Sequence, residues 1–277
     1  SGDQVFATWY SGLGSLFSIS QTDIKGQRLH RLSLRNNAQT SWDMPEPIGW
    51  VLPRASKPGF IGGFRSGFAA LTLEPFAITP IGAPEPDRET NRLNDAKVDL
   101  RGRIWAGSMD DEEKRVSGAL YRLDPSLTWS RMDQGYGVAN GPTFSPAGDV
   151  LYHADSARRI VYRFALSADG LISDRREFVR FPEDWGYPDG MTTDCEGGVW
   201  IAHWDGARIT RFTPDGQCDR AVALPVSRPT SCVFAGAGRD RLFVTSASIG
   251  RESESLAGGL FELDVGVRGA PSFAFAG

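Results

Sequence analysis

The chain has 277 residues, 40% of them apolar and 11% aromatic, so the composition supports a sizeable buried core and argues against a disordered chain. The formal net charge is −4 and no five consecutive residues are basic, which excludes the electrostatic footprint of a nucleic-acid-binding protein. No apolar stretch approaches the roughly 18 to 20 residues of a membrane-spanning helix, and 32 Gly with 17 Pro favour a turn-rich all-β chain.

A repeated pattern, a glycine-containing turn followed by alternating apolar residues, recurs along the chain. Two degenerate copies come first, YSGLGSLFSIS (10–20) and SKPGFIGGFRSGFAAL (56–71). Three clear copies and one weaker copy follow: VDLRGRIWAGS (98–108), FSPAGDVLYHADS (144–156), TTDCEGGVWIAHWDG (192–206) and GAGRDRLFVTSAS (236–248). Glycines 102, 148 and 197 are 46 and 49 residues apart. Six units of about 46 residues match the length of a four-stranded propeller blade.

The segments between these copies also alternate apolar and polar residues, as in GALYRLD, RIVYRFAL and ARITRFTP, and no window keeps a 3.6-residue apolar period over three turns. The sequence therefore predicts an all-β fold, a six-bladed β-propeller that forms a single domain over residues 1–277. A β-sandwich or two smaller barrels are the alternatives. Since the innermost strand of each blade lines a central channel, polar side chains at the strand mouths are expected to meet there.

Polar residues precede three of the copies. They are Arg92, Asn94 and Asp95 in NRLNDAKVD, Asn140 in ANGPTFS, and Asp189 in PDGMTTD. Carboxylate and amide oxygens suit a hard divalent cation, and an arginine beside an asparagine offers donors to a polyhydroxylated or anionic small molecule. The alternative is turn chemistry, because Asn-Gly and Asp-Gly are common turn dipeptides and Asp95 is expected to cap a turn.

Other reactive side chains form no recognisable catalytic motif. His30, His153 and His203 have neither HExxH nor triad spacing and are expected to be surface or strand residues, although His153 and His203 occupy equivalent places that could line the channel. No GxSxG elbow, P-loop or GxGxxG motif occurs. The three cysteines show no CxxC spacing and the first residues resemble no export signal, so reduced thiols and a cytoplasmic location are expected.

Several segments, in order and spacing, resemble the regucalcin/gluconolactonase family of sugar-lactone hydrolases, also called the senescence marker protein family. They include RLNDAKVDLRGRIWAGSM, NGPTFSPAGDVLYHADS, PDGMTTDCEGGVWIAHWDGARITRFTPDG and PTSCVFAGAGRDRLFVTSA, and the similarity extends from TDIKGQRLHRL (22–32) to the C-terminus. The resemblance implies a six-bladed propeller with one divalent metal ion, Ca²⁺, Zn²⁺, Mn²⁺ or Mg²⁺, in its central channel.

The resemblance also implies roles for individual residues. Asn140 and Asp189 match two metal ligands of the family, Arg92 and Asn94 match its substrate-contacting pair, and Asp189 matches the aspartate that helps to activate water. The segment MDDEEKRVSGALY (109–121) matches a variable loop over the pocket, in which Glu112 or Glu113 could touch a substrate hydroxyl. A second such loop is SASIGRESESLAGG (246–259).

One family feature is missing, an N-terminal glutamate that supplies the third protein ligand to the metal. No glutamate precedes Glu46, and three alignments of the N-terminus place Ser15, Val5 or Asp3 at that position. Because Ca²⁺ affinity depends on the ligand charge, weak metal binding is expected unless another acid substitutes.

Three functions remain open at this point. The first is metal-dependent hydrolysis of an aldonolactone, such as a glucono- or pentonolactone, by a monomer or weak homo-oligomer with no nucleic-acid or membrane partner. The second is a catalytically impaired propeller that binds a sugar acid or another small molecule. The third is an esterase of another substrate class, since one fold hosts many activities.

Overall fold

The structure is a computed structural model that describes residues 5–11 and 17–277, with side chains described from Ser18 onward. Within these residues, 23 strands form six small sheets in which consecutive strands pair antiparallel. Blades 1 to 3 consist of β1 (Val5–Ser11), β2 (Phe17–Asp23), β3 (Arg28–Ser33), β4 (Gln39–Asp43), β5 (Ile48–Pro53), β6 (Phe60–Phe64), β7 (Gly67–Leu73), β8 (Phe76–Gly82), β9 (Asn91–Val98), β10 (Ile104–Asp110), β11 (Gly118–Leu123) and β12 (Trp129–Tyr136). Blades 4 to 6 consist of β13 (Ala139–Phe144), β14 (Val150–Asp155), β15 (Ile160–Leu166), β16 (Ile172–Arg180), β17 (Tyr187–Thr193), β18 (Val199–Trp204), β19 (Arg208–Phe212), β20 (Cys218–Ala223), β21 (Pro229–Ala235), β22 (Arg241–Ser246) and β23 (Leu260–Leu263).

The six sheets are arranged in a ring. The first strands of successive blades contact one another in chain order, and β21 of blade 6 contacts β1 of blade 1, which closes the ring. Blades 1 to 5 have four strands each, and blade 6 has three within the described residues. The predicted all-β, six-bladed propeller is confirmed, rather than a sandwich or two barrels. The extent of a single domain over residues 1–277 stays a prediction.

Buried apolar side chains fill the spaces between neighbouring blades. Six clusters occur, and each joins two adjacent blades, including blades 6 and 1. Between blades 3 and 4, for example, Trp105 and Leu120 pack with Tyr136, Phe144 and Leu151. The alternating apolar residues of the repeats therefore form a continuous core around the ring, as stacked repeat units require.

The glycine turns of the repeat join the first strand of a blade to its second strand. Gly102, Gly148 and Gly197 have φ angles of 74°, 72° and 86°, in the left-handed region that favours glycine. The second degenerate copy (56–71) spans the equivalent turn of blade 2, whereas residues 12–16 of the first copy, between β1 and β2, fall outside the described residues.

A buried aspartate fixes two of these turns to the blade. Asp194 accepts hydrogen bonds from the backbone N–H of Gly198 (2.8 Å), the indole N–H of Trp200 (2.8 Å) and Arg211 (Nε, 2.7 Å). Asp99 binds the backbone of Arg103 and the indole of Trp105 in the same way, at 3.0 and 2.9 Å. The Asp and Trp of the repeat therefore occur together because a buried indole N–H needs an acceptor.

The C-terminal segment crosses the end of the channel at which the first strands finish. The backbone N–H of Ala270 donates to Thr193 O (3.0 Å), that of Phe275 to Pro53 O (2.8 Å) and that of Ala276 to Gly102 O (3.0 Å). The segment thus ties together blades 5, 2 and 3 at that end. The opposite end, at which the first strands begin, carries the predicted polar residues.

Among the described residues, no helix is long and apolar enough to cross a membrane. All three cysteines lie in the described part of the chain and none forms a disulfide, with Cys232 buried and Cys195 and Cys218 exposed. The expectation of reduced thiols stays a prediction.

Candidate active site

The predicted polar residues lie at irregularities in the first strands of blades 3, 4 and 5. The pairing register shifts around Asn94 and Asp95 in β9, after Asn140 in β13 and after Pro188 in β17. Such β-bulges leave a residue unpaired and re-aim its side chain, and they are common beside active sites. The interpretation of Asn140 and Asp189 as turn residues is wrong, because both lie inside strands.

The glycines that follow these residues allow adjacent first strands to approach closely. A Cβ atom on Gly141, whose φ is 40°, would lie 2.8 Å from the backbone nitrogen of Met191 in the next blade. A Cβ atom on Gly190 would lie 2.3 Å from Oγ of Ser231. The Asn-Gly and Asp-Gly pairs are thus explained by close packing around the channel.

Asn140 and Asp189 line the same cavity at the open end of the channel. Its volume is about 380 Å³, and the residues around it come from blades 4 and 5 and from the loop after β10. The lining consists of Glu113, Val138, Asn140, Ser156, Ala157, Tyr187, Asp189 and Trp204. The two predicted metal ligands therefore face one space that is large enough for a small molecule.

A directional chain of hydrogen bonds orients Asn140. Arg92 donates to Oδ1 of Asn94 (2.5 Å), so Nδ2 of Asn94 points to Oδ1 of Asn140 (2.7 Å). Nδ2 of Asn140 then donates to Ser156 (2.9 Å), whose hydroxyl donates to Pro188 O. An arginine can only donate hydrogen bonds, so Arg92 determines the orientation of the Asn94 amide, and Asn94 determines that of the Asn140 amide. One lone pair of Asn140 Oδ1 remains free to accept another bond.

Arg92 is itself held in place by an acid. Its Nε donates to Oδ1 of Asp111 at 2.5 Å, and Lys25 of blade 1 contacts the same oxygen at 2.9 Å. Burial opposes the charge of Asp111, but Arg92 and Lys25 outweigh it and lower the pKa of the carboxyl. Arg92 and Asn94 are 3% and 2% exposed and do not line the 380 Å³ cavity.

Asp189 is buried with an unsatisfied oxygen. The residue is 3% exposed, and its Oδ1 has no hydrogen-bond partner among the described residues. Burial, and then the charge of Asp95, raise the pKa of Asp189 well above its ordinary value of 3.8. A buried carboxylate that faces a cavity without a donor is a group arranged to receive a ligand.

Asp95, which was expected to cap a turn, lies close enough to Asp189 for its charge to act on that carboxyl, and Lys97 acts in turn on Asp95. Asp95 accepts the backbone N–H groups of Ala96 (2.7 Å) and, across the blade interface, of Gly141 (2.9 Å). Burial raises the pKa of Asp95 to about 6, against the opposing effect of Lys97. Lys97 donates to Met191 O at 2.9 Å. The sequence feature that pointed to Asp95 is the polar residue that occurs at the bulge of the first strand in blades 3, 4 and 5.

The donor set fits a hard divalent cation in chemistry. Asp189 offers an unsatisfied anionic oxygen, Asn140 an amide oxygen with a free lone pair, and the nearby charge of Asp95 adds repulsion that a cation would relieve. Residues 17–277 contain no cluster of three His, Cys, Asp or Glu arranged to hold a metal. Asp3 and Ser15, two of the proposed replacements for the family glutamate, lie outside the described residues, as does the side chain of Val5.

The histidines do not take part in this cavity. His153 and His203 lie in second strands and are buried, His153 against Tyr136 (4.8 Å between ring centroids) and His203 stacked on Phe181 (4.3 Å). Burial lowers their pKa values to about 3 and about 4. Both are therefore neutral core residues between blades at physiological pH, in agreement with the strand interpretation.

The raised pKa of Asp189 predicts an unusual stability effect for the metal-free protein. Because the pKa of Asp189 is higher in the folded state than its ordinary value of 3.8, protonation of this residue stabilises the fold. The stabilisation is fully present below pH 3.8 and is lost as the pH rises through the folded-state pKa. In EDTA, Asp189→Asn should therefore melt about 2 to 4 °C above the parent at pH 8, with no difference near pH 4.

A matched control for this experiment is Asp205→Asn. Burial disfavours the charge of Asp205, but bonds from Arg228 and Arg251 outweigh it and lower its pKa. That carboxylate stabilises the fold above its unfolded-state pKa, so its removal should lower Tm at pH 8. Equal and pH-independent shifts for both variants would contradict the interpretation.

Sequence comparisons match the chain to one protein family and to several of its members. A family model described as the SMP-30/Gluconolactonase/LRE-like region matches residues 7–248. Regucalcin of Oryctolagus cuniculus is 33% identical, over 97% of this chain and 93% of that protein. The 6-deoxy-6-sulfogluconolactonase of Pseudomonas putida is 36% identical, over 92% and 89% of the two chains. The L-arabinolactonase of Azospirillum brasilense is 33% identical, over 98% and 91%.

A solved structure agrees with the fold. The calcium-binding protein regucalcin from Agrobacterium tumefaciens superposes with a TM-score of 0.88, over 93% of this chain and 89% of that chain. The sequence identity of this pair is 23%, so the likeness concerns the propeller architecture.

Proposed function

Because the chain belongs to the SMP-30/gluconolactonase/LRE-like family, we propose that it hydrolyses a sugar lactone to the sugar acid with the help of one divalent metal ion. Two of its relatives are named as lactonases, one for a sulfogluconolactone and one for L-arabinolactone. The observation that carries the proposal is the buried, unsatisfied carboxylate of Asp189, which faces the cavity beside Asn140.

Asp189 and Asn140 would hold the metal, for which Ca²⁺, Zn²⁺, Mn²⁺ and Mg²⁺ are the candidates. A divalent cation at this place supplies Lewis-acid polarisation of the lactone carbonyl. The hydrogen bonds from Asn94 to Asn140, and from Asn140 to Ser156, fix the orientation of the Asn140 amide, whose residue lines the cavity. A ligand oriented in advance loses less entropy when it binds.

Asp189 is the proton acceptor in this proposal. As the water oxygen bonds to the carbonyl carbon of the lactone, Asp189 takes a proton, and it returns that proton to the ring oxygen when the ring C–O bond breaks. Burial raises the pKa of Asp189 in the metal-free protein, whereas a bound cation would favour its ionised form, which is the form that accepts a proton. The hydroxy acid that forms carries a negative charge, which favours its release from a pocket lined by Asp189 and Glu113.

The substrate-binding role of Arg92 and Asn94 stays a prediction. Their described hydrogen bonds support a positioning role, since Arg92 orients Asn94 and Asn94 orients Asn140. Glu113 is the residue of its loop that lines the cavity, whereas Glu112 pairs with Lys114 at 3.2 Å. This position supports Glu113, rather than Glu112, as the glutamate that touches a substrate hydroxyl in the proposed reaction. A cytoplasmic location, with a monomer or weak homo-oligomer, also stays a prediction.

Removal and return of the metal tests the proposal. Protein dialysed against EDTA should hydrolyse glucono- and pentonolactones no faster than buffer, and added Mn²⁺, Zn²⁺ or Ca²⁺ should restore proton release about 100-fold or more over that background. Activity that is unaffected by EDTA would contradict the metal dependence. Lactone or sugar-acid binding without hydrolysis, seen by calorimetry with every metal, would favour the binding protein instead.

A further inference from the structure

Two aromatic side chains form one wall of the cavity. Tyr187 in β17 and Trp204 in β18 are directly opposite each other in the antiparallel pair, and both line the space that holds Asp189. Both side chains are half-buried. Side chains of directly opposed residues on neighbouring strands lie on the same face of the sheet. We call Tyr187 and Trp204 the aromatic wall.

An arginine supports each ring of the aromatic wall. The guanidinium of Arg159 lies 4.3 Å from the ring centroid of Tyr187, and that of Arg228 lies 4.7 Å from the ring centroid of Trp204. Arg228 is further fixed by Asp205 (Nε to Oδ1, 2.7 Å). Since one face of each ring is covered by a cation, the cavity meets the other face or the edge of that ring.

The second loop that was expected at the mouth contributes to this support. Arg228 donates to the backbone oxygen of Ile249, and Arg251 of the same loop contacts Asp205 at 2.9 Å. The loop at 246–259 therefore acts behind the aromatic wall, and none of its residues lines the cavity. It holds Trp204 through Arg228, which limits the positions that the indole can adopt.

Of the described residues, two carboxylic acids and no basic side chain line the cavity. They are Asp189 and Glu113, and the remaining lining residues are apolar, aromatic or neutral and polar. Arg159 and Arg228, which stack on the aromatic wall, are engaged with rings, backbone carbonyls and Asp205. Arg92, whose charge acts on Asp189, is paired with Asp111. An anionic group on the substrate, away from the reacting ester, would thus meet carboxylates and find no free cation among the lining residues.

We propose that the aromatic wall packs against the carbon skeleton of the substrate and that the site selects a neutral lactone over one with an acidic substituent. This inference rests on lactone hydrolysis as the proposed function. The apolar C–H faces of a sugar ring match an aromatic surface, whose electron-rich face attracts polarised hydrogens. Glu113, on the exposed side of the cavity, repels a carboxylate, phosphate or sulfonate, and specificity of this kind uses repulsion as well as attraction. The inferred selectivity therefore separates this chain from its relative named for a sulfogluconolactone.

The test compares glucono-1,5-lactone with its 6-phosphate, which differs only by the charged group. The parent should hydrolyse the neutral lactone with a kcat/KM at least about 10-fold above that of the phosphate. Glu113→Gln should reduce this ratio about threefold or more by raising the rate with the phosphate. Glu112→Gln is the matched control, since Glu112 does not line the cavity, and it should leave the ratio unchanged.

The aromatic wall is tested separately with the neutral lactone. Trp204→Ala should raise KM about 10-fold with a smaller change in kcat, whereas Trp204→Phe and Tyr187→Phe should keep KM within about threefold, because the ring is retained. Trp42→Ala, which removes another arginine-stacked indole in blade 1, should leave KM unchanged.

The outcomes separate the inference from the proposed function. If neither lactone is hydrolysed, lactone hydrolysis itself is wrong. If the phosphate is hydrolysed as well as the neutral lactone, or if Glu113→Gln and Glu112→Gln behave alike, the selectivity inference is overturned while hydrolysis stands. An unchanged KM in folded Trp204→Ala would overturn the role of the aromatic wall.

Discussion

Replacement of Asp189 by alanine should lower kcat/KM for lactone hydrolysis by about 10³-fold or more. The substitution removes the proposed base and one of the two proposed metal ligands at once, and a general base alone typically contributes a factor of about 10² to 10⁴ to the rate. The folded state should survive, because Asp189 makes no side-chain ion pair and its Oδ1 has no partner among the described residues. Initial rates of proton release at several lactone concentrations measure this change.

Two further variants make the Asp189 result specific. Asp189→Asn keeps the shape and an oxygen ligand, so it should retain weak metal binding but lose the base, with a comparable loss of kcat. Glu112→Ala removes a carboxylate that lies near the channel mouth but does not line the cavity. Its kcat/KM should stay within about twofold of the parental value. Asp189→Ala with more than a third of the parental activity would contradict the assignment.

Replacement of Asp194 by alanine should destabilise the protein by about 3 to 5 kcal/mol, the range for removal of one partner from a buried ion pair. Asp194 is fully buried, and its two oxygens bind Arg211 at 2.7 and 3.2 Å as well as the indole of Trp200 at 2.8 Å. Its loss leaves the guanidinium and the indole N–H without this acceptor. Urea unfolding followed by far-UV circular dichroism measures the effect.

The matched control is Asp149→Ala in the equivalent turn of blade 4. There, Ser145 accepts from the backbone N–H groups of Asp149 (3.2 Å) and Val150 (3.0 Å), and the Asp149 carboxylate accepts only from the exposed hydroxyl of Ser145. Its removal should cost less than about 1 kcal/mol. Similar losses for Asp194→Ala and Asp149→Ala would show that the buried aspartate does not anchor the turn.

The blade architecture could be predicted because it is repeated. Glycines 102, 148 and 197 mark a left-handed turn that few other residues adopt, and they recur at the spacing of a blade. The repeat also carried Asp99 and Asp194, whose role in binding the indoles of Trp105 and Trp200 is visible only in three dimensions. A local sequence pattern identifies the repeated blade, whereas the hydrogen-bond acceptor of a buried indole depends on how the blade packs.

The site was less predictable for geometric reasons. Asn140 and Asp189 were singled out by their positions ahead of the repeats, and the resemblance gave them roles as metal ligands. The sequence could not distinguish a turn from a bulge at these positions, since Asn-Gly and Asp-Gly suit both. Asp95 was expected to bind its own backbone, and its second bond reaches Gly141 in another blade. The aromatic wall was missed because Tyr187 and Trp204 are separated in sequence and meet only through the pairing of β17 with β18.

We propose that Asn140 and Asp189 together bind a divalent metal ion at the open end of the channel. The anomalous scattering of Mn²⁺ in crystals of the parent and of Asp189→Ala tests this binding most directly. We expect one strong peak in the parent, in bonding contact with the side-chain oxygens of Asn140 and Asp189, and its loss or marked weakening in the variant. A peak elsewhere in the channel, or none at millimolar Mn²⁺ in an active protein, would contradict the claim.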